Sequence, residues 1–240
     1  MLRLKELVKK LLHIEDNSTL LDLGCGTGNY TFTLQQLVKG VIGIDINAAM
    51  LDRARFKFPA LQLLRGDVRH LPFDPDTFDG ALAVQVLHHV REKEIFLREA
   101  FRVLRKEAYI AVHSCSHRQM RAFWFYHYFP QGLEVDLARI PDSGEIASLL
   151  NKVGFSNIGI EICYSDVVVK DETLENYLDK NYRNGVSTFA FLSEKDIEQG
   201  CQKIREEIAS GASKEVIHKA VTEVAERAGG STIVYGQKVL

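Results

Sequence analysis

"LLDLGCGTGNY" (residues 20–30) decides how the chain is read. An apolar run meets Asp22, and Gly24, Gly26 and Gly28 then stand at alternate positions. The pattern predicts a strand that ends, a tight turn, and a helix that begins close to a bound ligand. A dinucleotide calls for GxGxxG, but Asn29 holds the third place. A phosphate loop calls for a lysine after the glycines, and none follows. The loop better suits a ligand with an amino-acid-like end. Its carboxylate meets N–H groups at the helix start, and Asp22 lies beside its ammonium.

Outward from this loop, short apolar runs alternate with helical stretches. Strands are predicted at 19–24, 40–46, 61–67, 78–87 and 108–114, with helices at 28–38, 47–57 and 92–104 between them. Leu4, Leu7, Val8, Leu11 and Leu12 mark an earlier helix at 3–13. The alternation predicts a doubly wound, mainly parallel sheet. Ligands of such sheets bind outside the carboxyl ends of the strands, where strand order reverses.

Two more carboxylates stand at predicted strand ends. Asp45 closes "GIDI" and suits both hydroxyls of a ribose. Asp67, after Gly66, suits an adenine amino group, while the Val68 N–H suits the ring. Ile46 and Met50 offer apolar faces to the base. Ammonium-carboxylate, ribose and adenine together describe S-adenosylmethionine.

These stretches resemble a known family. "LLDLGCGTGNY", "VIGIDINAAMLDRA" (41–54), "LLRGDVRHLPFDPDTFDGALAVQVLHHV" (63–90) and "EAFRVLRKEAYIAV" (99–112) are similar to the successive motifs of the class I S-adenosylmethionine-dependent methyltransferases, in the small-molecule branch called type 11. The resemblance implies a seven-stranded Rossmann-like sheet whose last strand, here 231–239, is antiparallel. It adds Cys25 and Tyr30 of the first motif, and places the backbone of Val84 and Gln85, with His89, near the methionine part of the cofactor. The family often has Pro-Gly-Gly where this chain has Arg105-Lys106-Glu107. Asp79 begins a strand, at the end away from the cofactor, and is read as structural. His88 and His89 are read as bonding backbone at a helix start rather than acting as a base. Cys115 has no partner arrangement for a covalent mechanism.

The second half is less regular. Helices are predicted at 141–155, 172–183, 193–209 and 213–228, and a strand at 157–164. "FWFYHYF" (123–129) holds six aromatic residues in seven. It follows the fifth strand, beside the expected cofactor cleft. Trp124, Tyr126, His127 and Tyr128 are therefore candidates for an acceptor pocket, with His113, Ser114, Arg118 and Arg121 as nearby polar contacts. Either arginine suits a carboxylate. "KNYRNG" (180–185) is read as a solvated turn. The chain is expected to be one domain, 1–240. Its core is 1–114, 142–165 and 230–240, and its helical lid insertions lie at about 115–141 and 166–229.

Composition narrows the partners. The 240 residues are 46% apolar and 26% charged, with a formal net charge of −2. No strong positive field is present to gather nucleic acid or an anionic membrane. The four cysteines form no CxxC pair, so neither a zinc site nor a redox motif is suggested. No run of about 18 apolar residues and no cleavable leader is evident. A cytoplasmic enzyme with a small-molecule partner is expected. The absence of an Asn-Pro-Pro-Tyr-like motif argues against the amino-methylating DNA and protein branches. The acceptor atom stays open between oxygen, nitrogen and carboxylate. Two rivals differ in class: a protein that binds S-adenosylmethionine without transferring from it, and a dehydrogenase, which would want a glycine at Asn29.

Overall fold

The first strand, β1 (Thr19–Leu23), is buried along almost its whole length. Its run of leucines, rather than an alternating pattern, suits a strand covered on both faces. The computed structural model describes residues 8–163 and 171–239. Leu4 and Leu7 of the predicted first helix, Tyr164 of the predicted strand and 166–170 of the second insertion lie outside them.

The other strands are β2 (Gly40–Asp45), β3 (Gln62–Arg65), β4 (Phe78–Val84), β5 (Leu104–Ser114), β6 (Ser156–Cys163) and β7 (Ser231–Gln237). They form one seven-stranded sheet in the order β3-β2-β1-β4-β5-β7-β6. Strands β1 to β5 pair in parallel, while β7 runs antiparallel to β5, with Tyr109 opposite Gln237 and Ser114 opposite Thr232. The order reverses between β1 and β4, which puts the ligand crevice at their carboxyl ends.

Among the described residues, two units are distinguished. One comprises 8–114, 143–161 and 232–239; the other comprises 115–142, 162–163 and 171–231. The sheet unit packs Leu21, Leu23, Ile44, Phe78, Ile110 and Val112 into one core. The helix Lys93–Val103 adds Phe96, Leu97, Ala100 and Val103, spaced as one helical face. The helical unit has its own core of Trp124, Phe125, Tyr128, Phe129, Leu174, Tyr177, Phe189 and Ile204.

Several predicted boundaries shift. β4 stops at Val84 because Gln85 takes φ +50°, which breaks the ladder. β5 starts at Leu104, directly after the preceding helix, and bulges. Phe78 pairs with Leu104 and Gly80 with Tyr109, so the Arg105-Lys106-Glu107 stretch lies within the bulge. Glu107 adopts φ +70°, a conformation glycine takes at less cost, and its N–H donates to the Lys238 carbonyl at 2.6 Å. Asp79 accepts from the Thr19 N–H at 2.8 Å and pairs with Arg105, tying the starts of β1 and β4 together. The predicted helix 172–183 is two pieces, Asp171–Asn176 and Lys180–Arg183, and "KNYRNG" supplies the second.

Candidate active site

The loop after β1 is built around its own backbone. The N–H groups of Gly24 and Cys25 both donate to the Ile44 carbonyl, at 2.8 and 3.0 Å, and the Gly28 N–H donates to the Cys25 carbonyl. The loop thereby leans on β2 while the helix Asn29–Gln35 starts directly after it. Gly24 has φ +72°, and a Cβ there would come within 2.3 Å of Val86 Cγ2. The loops after β1 and β4 thus touch at the reversal of strand order. Gly26 is different. It also has positive φ, but no atom lies within 4 Å of where its Cβ would stand, so its bare backbone faces open space.

Two carboxylates stand beside this backbone. Asp22 is buried at the end of β1 and accepts from the Thr31 hydroxyl at 2.6 Å. Burial, with the Asp45 charge adding to it, raises its pKa to about 6. Asp45 ends β2 and is braced on both oxygens: Oδ2 accepts from the Gly26 N–H and Oδ1 from the Asn47 N–H, each at 2.8 Å. A carboxylate has about four acceptor positions, so one on each oxygen remains for a pair of hydroxyls. Ile46, directly after it, is 61% exposed, and Leu64 is also exposed. These residues fit S-adenosylmethionine. Asp22 offers a buried carboxylate to a cation, Gly26 exposes bare backbone, Asp45 presents paired acceptors, and apolar faces adjoin it.

Other expected residues take different roles. The Cys25 side chain is buried within 2.9 Å of where a Gly43 Cβ would stand, and burial pushes its thiol pKa far up, so Cys25 shapes the loop. Val68 lies in the core. Gly66 abuts Ile44, and its N–H donates to the Asp45 carbonyl at 3.0 Å. The Asp67 carboxylate is held by Arg69, whose other arm reaches Glu92 at 2.7 Å. Exposed Gln85 donates its N–H to the His113 carbonyl at 2.9 Å. A non-glycine residue at positive φ there stores strain in the crevice. His113 is the last residue but one of β5 in the sheet unit, its ring 6.3 Å from the Tyr30 ring. Burial lowers its pKa to about 4, so it is neutral at physiological pH. His89 lies in the turn Leu87–His89, with its N–H on the Val86 carbonyl.

The helical unit holds a cavity of about 1180 Å³. Arg118, Arg121, Trp124, Tyr126 and His127 line it, joined by Phe123, Leu133, Val216, Ala220 and the charged Asp142, Glu215, Lys219 and Glu223. Tyr128 instead turns inward, with its hydroxyl on Glu207 at 2.9 Å. His127 is paired with the same carboxylate. The Tyr126 hydroxyl donates to Asp136 at 2.9 Å, and Asp136 also takes Thr188 and Arg139. Thr31, Arg69 and Asp136 were not singled out from sequence. Arg69 stands two residues from Asp67, which is a readable signal; Asp136 and Thr188 are 52 residues apart and give none.

The state of Asp22 leads to a pH prediction. Its pKa is higher in the folded protein than in the unfolded chain, so the folded state binds the extra proton and stability falls as pH rises through about 6. Asp22→Asn is expected to stabilise the ligand-free protein by about 3 kcal/mol at pH 8, with the gain vanishing below about pH 4. Denaturant melts of both proteins across this range check it; a gain that does not change with pH refutes the assignment to Asp22.

Comparison with known proteins agrees with this geometry. A family model described as a methyltransferase domain matches residues 21–112. A 2-phytyl-1,4-naphtoquinone methyltransferase of Thermosynechococcus vestitus is 35% identical over 56% of this chain and 63% of its own. A demethylmenaquinone methyltransferase of Tropheryma whipplei is 30% identical over 62% of this chain and 70% of its own. The chain spans 45 to 63% of the length of the first quinone methyltransferases it matches. A solved structure from Anabaena variabilis, named as a methyltransferase of an antibiotic biosynthesis pathway, superposes with a TM-score of 0.79 at 23% identity, over 98% of this chain and 96% of that one. That likeness concerns the fold.

Proposed function

The chain belongs to the class I S-adenosylmethionine-dependent methyltransferases, and on that footing we propose that it methylates a small, largely apolar or aromatic acceptor. The observation that carries the reading is Asp45, braced on both oxygens beside the open backbone of Gly26. When bound, S-adenosylmethionine would supply an electrophilic methyl group, passed in line to a nucleophilic atom of the acceptor as its bond to sulfur breaks and S-adenosylhomocysteine leaves. Asp22 would hold the ammonium, the Gly24–Gly28 backbone the methionine part and Asp45 the ribose, with Ile46 and Met50 against the base. Holding both reactants in line can supply roughly 7–11 kcal/mol of the barrier reduction.

The acceptor is assigned to the helical unit's cavity, where Phe123, Trp124 and Tyr126 offer ring faces and Arg118 and Arg121 offer cations. The relatives' names carry ring acceptors, naphthoquinones and menaquinone precursors, which are of the same chemical kind. Tyr126 is held as a neutral phenol by burial and by the nearby Asp136 carboxylate, so it serves as a hydrogen-bonding group rather than a base.

Transfer of label from methyl-labelled S-adenosylmethionine to a panel of reduced naphthoquinones, phenols and aromatic acids tests the reading. Trp124 is the only tryptophan in the chain, so ring compounds that enter the cavity are expected to change its fluorescence. Label transferred to a compound that also shifts the Trp124 signal supports both assignments. Transfer without any fluorescence change removes the cavity from the proposal. Binding of S-adenosylhomocysteine with no transfer to any acceptor favours a cofactor-binding protein without transferase activity.

A further inference from the structure

Asp67 follows β3 where that strand borders the Asp45 site: Gly66, the residue before it, donates its N–H to the Asp45 carbonyl at 3.0 Å. A carboxylate beside the ribose site is placed to accept from the amino group of an adenine. In this chain the carboxylate is already engaged. Oδ1 accepts from the Arg69 N–H at 2.9 Å and from Arg69 Nε at 3.0 Å. Oδ2 accepts from Nη2 at 2.6 Å and from Nε at 3.1 Å. These four contacts come from three N–H groups, the Nε–H being shared between the two oxygens, so three of the roughly four acceptor positions of the carboxylate are taken. Nη1 is anchored on Glu92, so the guanidinium is held from both sides.

We propose that Arg69 is a specificity-determining residue that acts through Asp67, engaging its carboxylate so that the site gains little from the 6-amino group of the purine. The proposal rests on the S-adenosylmethionine reading and deepens it. A free carboxylate at this place favours a 6-amino donor over a purine that lacks one. With Arg69 in place this preference is muted. Arg69 holds Asp67 well below the ordinary carboxylate range, so the pair is fully charged at neutral pH. The three side chains are partly exposed, so removing Arg69 is compatible with a folded protein.

The test is calorimetric titration of the full chain with S-adenosylhomocysteine and with its 6-deamino analogue, in which N1 of the purine stays an acceptor. The wild type is expected to bind the two within about threefold of each other, less than the tenfold that corresponds to one well-formed charged hydrogen bond. Arg69→Ala is expected to prefer the adenosyl compound by about tenfold or more, with its affinity for that compound undiminished. Glu92→Gln, which loosens the clamp without removing it, moves the ratio the same way by less. Adding Asp67→Ala to Arg69→Ala abolishes the gained preference. A wild type that already prefers the adenosyl compound tenfold overturns the proposal. So does an Arg69→Ala protein that loses both ligands in proportion, since that marks a merely structural role. A wild type that binds neither compound fails earlier, at the cofactor reading itself.

Discussion

Asp45→Ala is expected to weaken binding of S-adenosylhomocysteine by at least about 100-fold while leaving the melting temperature nearly unchanged. The magnitude follows from what the carboxylate does. Two hydroxyl donors to one charged acceptor are worth roughly 1.5–3 kcal/mol each, and a factor of 100 corresponds to about 2.7 kcal/mol. The same substitution removes the acceptors of the Gly26 and Asn47 N–H groups, so the glycine loop and the start of the following helix lose their shared brace. Both donors lie at the crevice surface, where water can replace the lost acceptor at little cost to folding. Asp45→Asn separates the two effects: it keeps one oxygen acceptor but loses the charge, and is expected to fall between the two proteins. Titration calorimetry beside a thermal melt reads both quantities. A loss of less than about fivefold, in a protein that still binds the ligand, places the ribose elsewhere.

The sheet and its crevice were legible because their signals are local. Asp22, Asp45 and Asp67 each follow a short apolar run, and three strands with a carboxylate at each carboxyl end allow few arrangements. The structure adds what spacing cannot carry. Asp67 is turned to Arg69, although nothing about a carboxylate after a strand says whether a neighbour two residues on will fold back to it. Gln85 ends β4 earlier than its apolar run suggests, because a positive φ is a backbone state with no hydrophobic signature. The bulge at Glu107 was hidden for the same reason. The aromatic block was legible only as composition: Trp124, Phe125, Tyr128 and Phe129 are buried while Phe123 and His127 are exposed. Seven residues with a single four-residue helix, Phe125–Tyr128, among them are too few for a periodicity to separate the faces.

Asp136→Ala is expected to cost the protein about 3–5 kcal/mol, a larger effect than any surface ion pair here can produce. Asp136 is buried on the helix Gln131–Arg139 and takes three donors: Arg139 Nε at 2.6 Å, Thr188 Oγ1 at 2.7 Å and the Tyr126 hydroxyl at 2.9 Å. Arg139 in turn reaches the Ser187 hydroxyl at 2.8 Å and lies over the Phe191 ring. One carboxylate therefore joins the aromatic block, its neighbouring helix and the turn Ser187–Phe191, which are far apart in sequence. Removing it leaves a largely buried guanidinium and two hydroxyls without their acceptor, and desolvation of an unpaired charge dominates the loss. At roughly 2–4 °C per kcal/mol for a chain of this size, the melting temperature is expected to fall by about 10 °C. Thr188→Val removes a single donor and should cost about 1 kcal/mol, and Arg139→Leu in the Asp136→Ala background should recover part of the loss, because the stranded charge goes with it. If Asp136→Ala melts within about 2 °C of the wild type, the carboxylate is not what holds these three segments together. If it melts low but Arg139→Leu restores nothing, the cost lies in the lost hydroxyl contacts rather than in the unpaired charge.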